Sequence, residues 1–145
     1  MPSDMTELNL ALARQIIDGA LKEARAKGYL PMGIAVVDAA GQTKALARED
    51  GASALRLDIA LGKAGAAVGM GVSSRVLAQR AKDVPAFFNA VASTATLNFI
   101  AQTGAVLIKS ADGRVIGAAG ASGGTGDEDE AICIAGIAAA GLTHA

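Results

Sequence analysis

The chain has 145 residues, with 13 basic and 14 acidic side chains and a net charge of −1. That length suits one domain over residues 1–145 whose core needs no covalent staples, and the balanced charge excludes the strong field of a nucleic-acid or anionic-membrane binder. A single cysteine, Cys133, rules out an intramolecular disulfide framework, and a single histidine, His144, rules out a histidine-cluster metal site within one chain.

In chain order, Asp4 and Glu7 are placed to cap a first helix from about Met5 to Lys27, with Leu8, Leu12, Ile16, Ala20 and Ala24 along one face and Gly28 ending it. Met32 to Asp38 reads as a strand, and Ala39-Ala-Gly41 turns it into a second strand through Arg48. Ser53 to Met70 reads as a helix, with Leu57, Ala60, Leu61 and Ala64 inward, broken by Gly69-Met-Gly71. Ser73 suits the cap of a short helix to about Arg80, and Pro85 suits the first turn of another through Phe87, Phe88 and Val91. Gly104 to Lys109 and Arg114 to Ala121 flank Asp112-Gly113, a strong hairpin turn. Ala131 to Ala140 closes the chain as a helix.

Helix, hairpin, helices, hairpin, helix is the order of an α+β domain in which two hairpins share one antiparallel sheet. The composition adds a packing rule. Alanine dominates, and 18 glycines stand against three phenylalanines, one tyrosine and no tryptophan. Elements must therefore approach closely through small side chains. Hydrophobic content of 52% exceeds the usual range of about 45–50%, so part of the apolar surface is expected to lie against a second copy of the chain. No basic-plus-apolar leader and no apolar run of membrane-spanning length is visible, so a cytoplasmic protein without membrane contact is expected.

The densest signal is Gly117 to Glu130, where a small-residue strand runs into an acidic helix start. Carboxylates suit a first turn because its unpaired N–H groups and the helix dipole leave that end partly positive. Thr125 and Glu128 have capping-box spacing. The glycines before them allow another group to approach the backbone. The segment is either a well-capped turn or the floor of a binding site.

Several fragments, taken together, resemble the GlcG/HbpS-like family, whose domain is also appended to some corrinoid adenosyltransferases. They are Ile34-Ala-Val-Val-Asp38 with Gly41, Arg48-Glu-Asp-Gly-Ala52, Ala60-Leu-Gly-Lys-Ala64, Asp112-Gly with Val115-Ile-Gly117, and Gly120-Ala-Ser-Gly-Gly124 followed by Asp129-Glu130. The match runs from about Leu10 to Leu142. The resemblance implies an antiparallel sheet of about five strands flanked by helices, and homo-oligomers from dimers to octamers. It also implies a small-molecule ligand, haem in some relatives, and an accessory place in catabolism. Two departures stand out. Thr103-Gly-Ala-Val106 replaces the Gly-Gly-x-Pro turn of relatives, and no internal histidine is present to ligate haem iron. Tyr29, Met32, Met70, Cys133 and terminal His144 are other side chains with the chemistry to do so.

Each candidate site residue carries two readings. Asp38 is either a turn cap or a ligand group. Arg48 and Asp50 are either a surface pair or an anion anchor. Lys63, on an otherwise nearly uncharged helix, either snorkels to solvent or points at Asp129 or Glu130. Gly62-Lys63 does not belong to a phosphate-binding P-loop, since Leu57 and Ala64 stand where that motif needs glycine and a hydroxyl. Ser122 lacks a histidine to make it a nucleophile, but with the amides of Gly123 and Gly124 it suits a carboxylate or carbonyl oxygen. Asp129 and Glu130 either stabilise the helix start or move a proton. Cys133, between Ile132 and Ile134, reads as a buried small hydrophobe. The leading function is thus a non-catalytic binding protein. The alternative is a small lyase, isomerase or hydrolase holding an organic acid through Lys63 and Arg48, with Asp129 or Glu130 moving the proton.

Overall fold

The structure, a computed structural model, describes residues 6–145. The first helix, α1 (Leu10–Lys27), starts later than its periodicity predicts, because the Asn9 carboxamide accepts from the Leu12 amide and sets the N-cap. Asp4 and Met5, the expected cap and first residue, lie outside the described residues. Gly28 closes the helix in the left-handed conformation, as expected.

Two hairpins follow the predicted order. The strands β1 (Gly33–Asp38) and β2 (Thr43–Arg48) form the first. Three helices intervene: α2 (Leu55–Met70), α3 (Ser74–Asp83) and α4 (Pro85–Thr94). The second hairpin is β3 (Ala105–Lys109) with β4 (Val115–Ser122), and α5 (Gly126–Ala139) comes next. A final two-residue strand, β5 (Thr143–His144), adds to the edge of β3. The sheet is antiparallel throughout, in the order β2-β1-β4-β3-β5. The α+β expectation holds, with the fifth strand supplied by a segment that carries no strand pattern of its own.

β1 is buried on both faces, which is why Ile34-Ala-Val-Val37 reads as a continuous apolar run rather than an alternation. Ile34 and Val36 enter a core with Ile16, Ile17 and Ala20 of α1 and Ile132, Cys133 and Ile137 of α5. Val37 turns the other way, toward Ala64 and Ala67 of α2, together with Ala105, Leu107 and Ala118. Beyond α2, Ala66, Leu77 and Phe88 make a third, smaller cluster that holds α3 and α4. α3 runs three residues past the expected end at Arg80. Ser73 occupies its N-cap position without a side-chain cap; the neighbouring Ser74 hydroxyl instead binds both the N–H and the carbonyl of Ala105, tying α3 to β3.

The alanine- and glycine-rich composition is the physical basis of this stack. A Cβ on Gly120 of β4 would lie 2.4 Å from the Ala60 carbonyl oxygen of α2, so the helix rests almost directly on the strand backbone. The connection between α4 and β3 crosses the same helix. A Cβ on Gly65 would lie 2.2 Å from the Asn98 carbonyl oxygen, and the Ile100 amide donates to the Gly62 carbonyl at 3.0 Å. Among the described residues, no helix is long and apolar enough to cross a membrane.

Candidate functional site

α5 begins as its sequence dictates. Thr125 accepts from the Glu128 amide, and the Glu128 carboxylate accepts from the Thr125 amide, which completes the capping box. This fixes the rotation of the first turn, and consecutive carboxylates leave it in different directions. Asp129 turns inward and is 1% exposed; Asp127 and Glu130 turn toward α3.

Asp129 meets Lys63 of α2. The Lys63 ammonium donates to Asp129 Oδ2 at 2.9 Å and to the Ala121 carbonyl at 3.0 Å, with the lysine only 5% exposed. Asp129 Oδ1 accepts from the Gly124 amide at 2.9 Å. The buried charges are therefore paired and hydrogen-bonded, the condition under which a protein interior tolerates them. Of the two readings for Lys63, the inward one holds, and its partner is Asp129. Glu130 goes elsewhere: with Asp127 it accepts from the Arg75 guanidinium of α3. Hydrogen bonds from Glu130 first, then Asp127, raise the Arg75 pKa above its already high ordinary value.

Above the buried pair lies a cleft of about 480 Å³, lined by Arg56, Ile59 and Lys63 of α2, by Gln102 and Thr103, and by Ser122, the run from Gly124 to Asp127, and Asp129. Arg56, Ile59 and Lys63 share one helix face because they stand at i, i+3 and i+7. Arg56 Nη1 donates to the Ser122 hydroxyl at 3.1 Å, and no carboxylate lies within ion-pair distance of this guanidinium among the described residues. Lys63 keeps one N–H without a protein acceptor among the described residues, since an ammonium carries three donors and two are engaged. Gly123 threads the loop at φ +154°, and a Cβ there would lie 2.3 Å from the Pro31 carbonyl oxygen, so only glycine fits.

The remaining sequence candidates scatter. Lys63, Ser122, Gly123 and Asp129 come together here, but Ser122 is buried against Arg56 and the Gly124 amide already serves Asp129. Asp38 caps its own turn, accepting from the Ala40 and Gln42 amides at 3.0 Å. Arg48 donates to the Ala52 carbonyl at 2.6 Å, and with Asp50 it lines a separate surface groove beside Arg25, Pro31 and Glu49. An anion held jointly by Lys63 and Arg48 is therefore not what the fold arranges. Arg56 takes that place beside Lys63. It was legible as the residue two helical turns before Lys63.

Cys133 sits behind the cleft floor, fully buried, its Sγ 3.8 Å from the Gly104 carbonyl. Burial pushes its thiol pKa strongly up, and the nearby Asp129 charge adds to that while Lys63 opposes it. No group of three or more histidine, cysteine, aspartate or glutamate side chains suited to a metal ion occurs among the described residues.

The fold and this arrangement define a class that comparison with known proteins identifies. Residues 8–138 match the family model described as haem degrading protein HbpS-like, and the chain belongs to that family. Among solved structures, a double mutant of Streptomyces reticuli HbpS is 29% identical, over 92% of this chain and 86% of that one, with a TM-score of 0.79. The complex of PduOC with haem is 24% identical over 94% of this chain and 97% of that one, with a TM-score of 0.82. Klebsiella pneumoniae protein ORFY is also 24% identical, covering 94% and 92%, with a TM-score of 0.82. These last two likenesses concern the fold alone. A search of curated proteins returned no match.

Proposed function

We propose that this chain is a cytoplasmic small-molecule-binding protein, acting as a single domain within a homo-oligomer and as an accessory to a catabolic pathway. Its ligand occupies the cleft between α2 and the start of α5. One observation carries the reading: among the described residues the half-buried Arg56 guanidinium has no carboxylate partner, only the Ser122 hydroxyl, and one Lys63 N–H has no protein acceptor, and both face a cleft of about 480 Å³. That volume lies within the usual span of about 300–1,000 Å³ for ligand pockets. Family membership and the haem complex of a structural neighbour make haem the ligand to consider first.

The cleft's donor set does not fit haem. Its lining contains no imidazole, thiol, thioether or phenol to bind iron. Met32 and Cys133 are buried in the core, and His144 is exposed on β5 at the sheet edge. No step through haem follows from this site. A proton-moving role for Asp129 is poorly served as well, since each of its oxygens already accepts a hydrogen bond.

The test is a thermal-shift screen of organic metabolites and hemin, run beside Ile59→Trp, which places a bulky ring at the mouth of the cleft. Ligands that raise the melting temperature of the parent and leave Ile59→Trp unmoved support the proposal, because a ligand stabilises only the state that binds it. Equal shifts in both proteins, or none in either, overturn it.

A further inference from the structure

The mismatch between cleft and haem has a positive counterpart. Resting on the binding reading above, we infer that the cleft takes a small hydroxylated monocarboxylate. The carboxyl group lies on the Arg56 guanidinium, and a hydroxyl oxygen farther along the ligand lies on the third Lys63 proton.

Charge decides the first half. Lys63 and Asp129 neutralise each other at 2.9 Å, and Asp127 on the rim is held by Arg75. Arg56 is the cation of the lining whose only side-chain hydrogen bond among the described residues is to a neutral hydroxyl, Ser122. A planar guanidinium fork matches a carboxylate in two parallel hydrogen bonds, and here most of its donors are unused. A doubly charged group such as phosphate would bring a second negative charge for which the lining holds no further cation, since Lys63 is already paired with Asp129. One negative charge is the load this lining matches.

Spacing and polarity decide the second half. Arg56 and Lys63 leave one face of α2 two turns apart, about 10.5 Å along the axis, and both reach the cleft. A ligand touching both therefore needs a polar atom some distance from its carboxyl group. Gln102 and Thr103 complete the wall with side chains that make no hydrogen bond among the described residues. A ligand covering them displaces their water partners, which hydroxyls replace and an alkyl chain does not.

The experiment is a ¹H–¹⁵N NMR titration of the full chain with gluconate, propionate, their uncharged counterparts gluconamide and propionamide, and hemin, following the amides of Gly124 and Thr125. Gluconate is expected to bind most tightly, with gluconamide at least about tenfold weaker, in line with the strength of charge-assisted hydrogen bonds. Arg56→Met should weaken gluconate by about tenfold to hundredfold and leave gluconamide little changed, and Arg56→Lys should restore part of the loss. Amides binding as well as acids, or gluconate indifferent to Arg56→Met, would overturn the anion assignment while leaving a binding cleft in place. Propionate matching gluconate would overturn the hydroxyl half. If hemin alone shifts the cleft amides, the inference falls and the binding reading survives. If nothing shifts them, both fall.

Discussion

The first turn of α5 sends out two ion clusters with opposite surroundings. On its inner side the Lys63 and Asp129 side chains are 7% and 2% exposed; on its outer side Arg75 and Asp127 are 52% and 81% exposed, with Glu130, the third member, at 16%. Both tie α5 to another helix, and both look like salt bridges in a contact map. They should differ widely in what they are worth. Two charges withdrawn from water depend on each other, because neither finds solvent when the other is removed. Two charges at the surface trade one polar partner for water, and their attraction is weakened further by salt. Depth within the fold, rather than distance between the groups, sets the consequence of breaking each.

The sharpest way to break this contrast is Lys63→Met, which leaves Asp129 charged and buried. Unfolding in urea is expected to show a loss of about 3–5 kcal/mol; a loss no larger than that of a surface substitution would mean that water reaches Asp129. The double variant Lys63→Met/Asp129→Asn removes both charges and keeps an oxygen for the Gly124 amide. It should recover part of that loss, with a coupling of about 0.5–3 kcal/mol in the mutant cycle, whereas strict additivity would end the claim of mutual dependence. Thr125→Ala removes the cap that orients both clusters and should cost about 1 kcal/mol, read in the same denaturation assay.

Arg75→Gln should have the smallest effect of these substitutions. The melting temperature should fall slightly in dilute buffer, and the difference should vanish in about 1 M salt, where screening acts within about 3 Å. A difference that survives high salt would place the Arg75 cluster with the buried one. The smallest effect of all concerns Asp112 in the turn between β3 and β4. The Ser110 hydroxyl donates to its carboxylate, holding its pKa below the ordinary value of 3.8, with the Arg114 amide adding to this. A depressed carboxylate pKa stabilises the fold above the ordinary value, and that contribution disappears as pH falls through the folded-state value. Asp112→Asn should therefore narrow the gap to the parent protein only in acid, with no pH-dependent difference between pH 6 and 8.

Particular residues explain how much of this was legible in the sequence. The capping box of Thr125 and Glu128, the Asp112-Gly113 turn and the start of α4 at Pro85 are local devices, so short-range spacing reveals them. β5 is not local: Thr143 and His144 become a strand only because β3 offers an open edge. The start of α1 depended on which of several polar residues capped it, and Asn9 took that position in the structure. At the cleft, Lys63 drew notice as a charge among alanines, but its partner lies 66 residues away. Linear spacing could not separate Asp129 from Glu130 as that partner. Arg56 stands two turns before Lys63 on the same helix face, but beside Asp58 it has the pattern of an ordinary charged helix start.

The connection between α4 and β3 passes over Gly62 and Gly65 with almost no clearance, then supplies Gln102 and Thr103 to the cleft wall. For anyone editing this protein, that makes it a treacherous place to cut. Its lack of regular structure advertises it as a site for an affinity tag, a permuted terminus or a grafted peptide. Yet added length there would lift the backbone from α2 and draw one wall of the cleft away with it. Such fusions would be better placed at the Asp112-Gly113 turn, where Gly113 has open space around it.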